Sequence, residues 1–131
     1  MSKRYPKPPV IEADDVTSQI EPVLRELLSK QIVVPNLAEV RDYLLRYPDL
    51  IELLPAICSS AAERFGLDAQ LSLEVYRDPE IEDEYLALYV RQENYDQHLP
   101  KIIEEISAEY EAELADKSGW LLITTDFHPP K

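Results

Sequence analysis

Asp126 and His128 stand two residues apart, the spacing that puts a carboxylate and an imidazole on the same face of a strand. Joined by an acid from elsewhere in the chain, this pair could hold a divalent metal ion. The same spacing arises readily by chance, and the pair falls close to the last residue, where strands fray. His98 and His128 are the only imidazoles, and both are remote in sequence from the single cysteine, Cys58. A nucleophilic thiolate needs a base or a helix N-terminus beside it. Cys58 instead lies between Ile57 and Ser59 in a strongly apolar helical stretch, where a small packed side chain is the simpler reading.

Two further groups could act by binding. The run Asp78-Pro79-Glu80-Ile81-Glu82-Asp83-Glu84 is rich in oxygen donors but lacks the turn glycine and in-register distal glutamate of a calcium loop. It reads as a solvated hairpin loop whose charge density attracts a basic partner. Tyr76, Tyr85 and Tyr89, together with Trp120, would form an aromatic patch on the sheet face away from the helices. If the N-terminal helices cover that face, the same residues are core. The chain has only two glycines, Gly66 and Gly119, so phosphate-cradling loops, dinucleotide fingerprints and nucleophile elbows are excluded.

The chain has 131 residues, 45% of them hydrophobic, which suffices for one domain around one core. Its formal net charge of −13 argues against nucleic-acid binding, which needs a basic footprint. Excess acid serves either solubility or a docking face for a basic protein. No apolar run is long enough to span a membrane. Prolines, not an apolar signal core, follow Met1-Ser2-Lys3-Arg4, and one cysteine cannot form an internal disulfide, so a cytoplasmic location is expected. No cofactor is expected.

These residues need elements to position them. Residues 1–13, with Pro6, Pro8 and Pro9, read as an extended or disordered arm, and residues 14–131 as a single α+β domain. Ser18 and Glu21 form a capping-box pattern that leads a helix with Ile20, Val23, Leu24, Leu27 and Leu28 on one face and Pro22 in its first turn. Asn36 and Glu39 repeat the pattern ahead of Leu37, Val40, Leu44 and Tyr47. A third helix, rich in Leu and Ile, ends at Phe65-Gly66, with Gly66 as a left-handed C-cap; Pro55 either kinks it or marks its start.

From residue 70 the period drops to two. Leu71, Leu73 and Val75 point one way, and Leu86, Leu88 and Val90 repeat the alternation, giving a β-hairpin. Residues 99–116 form a helix rich in glutamate, and Trp120 to Phe127 a last strand. The expected class is α+β: N-terminal helices, then β-β-α-β, in a small three-stranded antiparallel or mixed sheet with helices on at least one face. The crossover helix most simply lays the third strand antiparallel beside the first.

Tyr47-Pro48-Asp49-Leu50, Phe65-Gly66, Leu71-Ser72-Leu73-Glu74-Val75 and Asp78-Pro79-Glu80, followed by the tryptophan-led strand, resemble a pattern in a family of short uncharacterised bacterial proteins, mainly cyanobacterial. The resemblance covers roughly residues 37–127 and carries no catalytic residue. Through proteins of that kind encoded as half of a two-gene unit, it implies an antitoxin-like or partner-binding role. The residues themselves lead first to a non-enzymatic interaction or regulatory protein that binds a basic protein partner through its acidic and aromatic surfaces. A small metal-dependent enzyme or ligand-binding domain around Asp126 and His128, and a self-associating homodimer, are the alternatives.

Overall fold

Proline and glycine set most of the helix limits. The computed structural model describes the chain from Pro9 to Lys131 apart from residue 81, with side chains from Ser18 onward apart from Leu67 and Ile81. Helix α1 runs Pro9–Ser29, so the last part of the expected arm belongs to a helix; the arm's first eight residues lie outside the described residues. A proline can open a helix because its missing N–H has no intrahelical partner there. Pro22 consequently falls inside α1 and not in its first turn, with its ring exposed. The helix ends with Gln31 at φ 66° and the Ile32 N–H donating to the Leu27 carbonyl at 3.1 Å, a Schellman-type closure.

Helix α2 (Leu37–Arg46) is capped as expected: the Asn36 side chain accepts from the Glu39 N–H at 3.2 Å. Pro48 opens a short 3-10 turn. Helix α3 (Leu54–Phe65) carries Pro55 in its first turn, so that proline marks a start and not a kink. Gly66 then stops α3 at φ 62° and ψ −153°, a region closed in practice to residues with a Cβ.

Strands β1 (Gln70–Asp78) and β2 (Asp83–Arg91) pair antiparallel across their full length, from Gln70↔Arg91 to Asp78↔Asp83. Helix α4 (Leu99–Ala115) follows, and β3 (Leu121–Thr124) completes a mixed sheet in the order β1-β2-β3. The third strand therefore lies parallel beside β2, with Leu86↔Leu121 and Leu88↔Ile123, and not antiparallel beside β1. Two features account for the difference. A helical crossover returns the chain to the end from which β2 started, which makes the pair parallel. The free side of β1 is also taken near its start, where Val33 bridges Ser72 in parallel.

The register sorts side chains onto two faces. Leu71, Leu73, Leu86, Leu88, Val90, Leu121 and Ile123 face the helices and join Ile20, Leu24, Leu27, Val40, Leu44, Ile57 and Ile106 in one contiguous core. The other face carries Glu74, Tyr76, Tyr85, Ala87, Tyr89, Arg91, Leu122 and Thr124. No helix among the described residues is long and apolar enough to cross a membrane.

Candidate functional site: the open sheet face and the edge of β3

Cross-strand pairing builds the open face in rows. Tyr76 lies opposite Tyr85, with ring centroids 5.1 Å apart. Trp120, one residue ahead of β3, extends that row, since its carbonyl accepts from the Leu86 N–H at 3.0 Å. Glu74, Ala87 and Leu122 form the next row, and Ser72, Tyr89 and Thr124 the one after. Tyr76 is 39% exposed and Trp120 41%, while Ala87 between its larger neighbours is fully covered. The described helix side chains that meet the sheet pack on its opposite side, and Tyr76, Tyr85, Tyr89 and Trp120 stand outside that core.

The far end of the face is ionic. Arg91 is only 1% exposed. Its Nη2 lies 2.9 Å from Asp126 Oδ2, its Nε donates to Asp126 Oδ1 at 3.2 Å, and its Nη1 donates to Glu74 Oε2 at 3.2 Å. Ser72 Oγ donates to the same Glu74 oxygen at 2.8 Å, and the guanidinium carbon stands 4.8 Å from the Tyr89 ring centre. Hydrogen bonding to Arg91 holds the Asp126 carboxyl well below the usual carboxylate range, even though partial burial works the other way.

That geometry bears on the metal expectation. His128 Nδ1 does approach Asp126 Oδ2, at 3.4 Å, and the His128 N–H donates to Oδ1 at 3.1 Å. Both Asp126 oxygens are already engaged by Arg91, however, and no cluster of three or more His, Cys, Asp or Glu among the described residues is arranged to hold a metal ion. Asp126 and His128 instead help fasten the C-terminal segment across the end of the sheet. Tyr95 donates to the His128 carbonyl at 2.5 Å, and Gln70 exchanges hydrogen bonds with the Lys131 backbone.

The acidic hairpin loop is shorter than its composition suggests. Asp78, Asp83 and Glu84 belong to the strands, leaving residues 79–82 as the connection. Asp78 Oδ1 accepts from the Glu80 N–H at 3.0 Å, which tightens the turn, and Glu82 takes φ 54°. Glu80, Glu82 and Asp83 are exposed. Glu84 sits on the helix side, 2.5 Å from Arg46 and 2.6 Å from Arg77, which also pairs with Glu39. Burial would raise its carboxyl pKa, but the two arginines outweigh that and hold it low. Glu84 thus ties α2 to the hairpin and drops out of the partner-facing set.

Sequence reasoning missed Tyr43, which fixes the start of β3. Buried on α2, its hydroxyl accepts from the Trp120 N–H at 3.0 Å and lies within reach of the Trp120 and Glu84 carbonyls. Tyr43→Phe removes the acceptor for that backbone donor. A loss of about 1–3 kcal/mol in denaturant unfolding is expected, with Trp120 emission moving as the strand start loosens. The sequence signal was a tyrosine on the apolar stripe of an amphipathic helix, which needs a polar partner when buried.

A groove of about 160 Å³ runs beside β3, between the strand and α4. Tyr110, Leu114, Trp120 and Leu122 wall it, and Glu111 stands at its rim. Tyr110 is held in place by its hydroxyl, which donates to the Ala56 carbonyl at 3.3 Å. Cys58 faces neither groove nor sheet. It is fully buried, and burial pushes its thiol up to about 12, with Glu26 adding to the effect and Lys30 opposing it, so it is a packing residue and an unreactive thiol at neutral pH.

Fold and surface together define an α+β domain with a three-stranded mixed sheet, helices on one side and a partly aromatic face on the other. No protein-family model matches the chain, and no curated protein or solved structure resembles it significantly.

Proposed function

We propose that this protein is a non-enzymatic interaction module that binds a basic protein partner through its open sheet face. One observation carries the reading: Tyr76, Tyr85, Tyr89, Leu122 and Trp120 share a sheet face that stands outside the core packed by the described helix side chains. Tyrosine and tryptophan offer large contact area with a polar edge and lose little conformational freedom on binding, which suits them to interfaces. Glu80, Glu82 and Asp83 at the hairpin end of the face, with the chain's net charge of −13, steer a basic surface toward it. The single thiol has no pairing partner within the chain, in keeping with work in a reducing cytoplasm.

The test is a pull-down from source lysate at low salt with the full chain and with a Tyr76→Ser, Tyr85→Ser double variant. A stoichiometric partner held by the wild type, released by salt and lost in the variant is expected. Recovery of no stoichiometric partner, or equal recovery by the variant, counts against the sheet face.

A further inference from the structure

Arg91 shows how this sheet face holds a cation. Its guanidinium sits between the carboxylates of Glu74 and Asp126, with the Tyr89 ring centre 4.8 Å away. Two acids and a tyrosine together bind one arginine there. The hairpin end of the same face assembles the same kinds of group. Asp78 stands opposite Asp83, and Tyr76 stands opposite Tyr85 in the adjoining row. Side chains two residues apart on a strand share a face, so both aspartates lie on the open face beside the tyrosine pair, whose ring centres are 5.1 Å apart. Tyr85 registers this neighbourhood: burial raises its phenol above the ordinary range, and Tyr76, Asp83 and Asp78 raise it further.

What the hairpin end lacks is the cation. Asp78 and Asp83 make no ion pair among the described residues. Each commits one oxygen to the turn: Asp78 Oδ1 accepts from the Glu80 N–H and Asp83 Oδ1 from the Glu84 N–H, both at 3.0 Å. Arg77, next to Asp78 in sequence, points to the helix side, where Glu39 and Glu84 hold it. Like charges directly opposite one another on two strands are destabilising. The folded chain therefore carries a repulsion here that a cation from outside would relieve. Tyr76 and Asp83 are exposed, and Tyr85 and Asp78 are half-buried, so all four side chains are within reach of a ligand.

We propose that Asp78, Asp83, Tyr76 and Tyr85 form a receptor for an arginine side chain of the basic partner, an inference that rests on the reading of the sheet face as a binding surface. The guanidinium donates to the uncommitted carboxylate oxygens and lies over the tyrosine pair. Arginine suits the site better than lysine. Its flat, weakly hydrated head stacks on rings and its fork of donors serves two carboxylates at once, whereas an ammonium is a compact, strongly hydrated point charge. Charge disfavours a second copy as the occupant, because the contact would join two chains of −13 each.

Capped pentapeptides test the receptor on the full chain by nuclear magnetic resonance titration, with a central arginine, lysine or citrulline flanked by two glycines on each side. The arginine peptide is expected to shift the signals of Asp78, Asp83, Tyr76 and Tyr85 saturably and to bind more weakly as salt rises. The lysine peptide is expected to bind several-fold more weakly, and the citrulline peptide, similar in shape but uncharged, about tenfold more weakly or worse. Asp78→Asn combined with Asp83→Asn keeps an oxygen acceptor for each turn N–H and removes both charges. It should weaken arginine binding about tenfold or more while the melting temperature holds or rises, since the repulsion goes with the charges.

Equal binding of the lysine peptide would overturn the selection of arginine, and equal binding of the citrulline peptide would overturn the charge requirement. Calcium chloride that shifts the same four residues and displaces the arginine peptide would assign the aspartates to a metal ion instead. If the arginine peptide fails while the pull-down still recovers a partner that the Tyr76→Ser, Tyr85→Ser variant loses, the receptor falls and the sheet-face reading stands. If the pull-down recovers nothing and the arginine peptide binds as expected, the protein-partner reading falls and the arginine site stands.

Discussion

Arg91→Ala is expected to destabilise the protein by about 3 kcal/mol, lowering the melting temperature by roughly 10 °C in calorimetry. Removing the guanidinium strands two carboxylates, Glu74 and Asp126, at one end of the sheet, and also uncovers Ser72 and the Tyr89 ring. The cost lies at the lower end of the range for breaking a buried pair. Glu74 and Asp126 keep about a quarter of their side chains exposed, so water partly replaces the arginine. Arg91→Met, which keeps the volume and drops the charge, is expected to recover the packing part alone.

The same site gives the molecule a defined acid response. Asp126 titrates lower in the folded chain than in the unfolded one, because Arg91 favours the carboxylate. A depressed folded value contributes stability above the unfolded carboxylate range, about pH 4, and that contribution drains away as pH falls through the folded value. The stability gap between wild type and Arg91→Ala should therefore be full and flat near neutrality and narrow below about pH 4. A gap that widens on acidification would mean that Arg91 acts through something other than the Asp126 pair.

Gly119→Ala is the second large effect, with an expected cost of about 2–3 kcal/mol. A Cβ at this position would meet Leu50 Cδ1 and Tyr47 Cβ at 2.8 Å and Tyr47 Cγ at 3.0 Å. Tyr47 Cβ is tied to its backbone and cannot swing aside, so the turn from α4 to β3 must lift off the 3-10 turn beneath it. Asp49 would follow, since its carboxylate accepts from the Ser118 N–H at 2.7 Å and from the Ser118 hydroxyl at 2.9 Å. Denaturant unfolding gives the magnitude. Gly66, where a Cβ meets nothing within 4 Å, is the contrast: a substitution there is resisted by its positive φ and not by crowding.

Much of the site is legible in the residue order alone. Alternation places Tyr76, Tyr85 and Tyr89 on one face because side-chain period in a strand is fixed at two. Arg91 obeys the same parity but does not stand out, since nothing in its neighbourhood shows that Asp126, far along the chain, comes to meet it. Glu84 shows the converse error. Composition puts it in a solvated acidic run, yet it turns toward Arg46 and Arg77 on the helix side.

Local chemistry determined the elements. Proline, glycine and hydrophobic periodicity act within a few residues, so Asn36 as a cap, Gly66 as a stop and the inward rows of β1 and β2 followed from the residue order. Pairing partners were decided in three dimensions. Whether β3 joins β1 or β2 depends on where α4 packs and on Val33 bridging Ser72 on the other side of β1, contacts between segments tens of residues apart. The exposure of the aromatic face has the same origin: a strand's alternation defines two faces, and only the packing of the helices chooses which of them is left open.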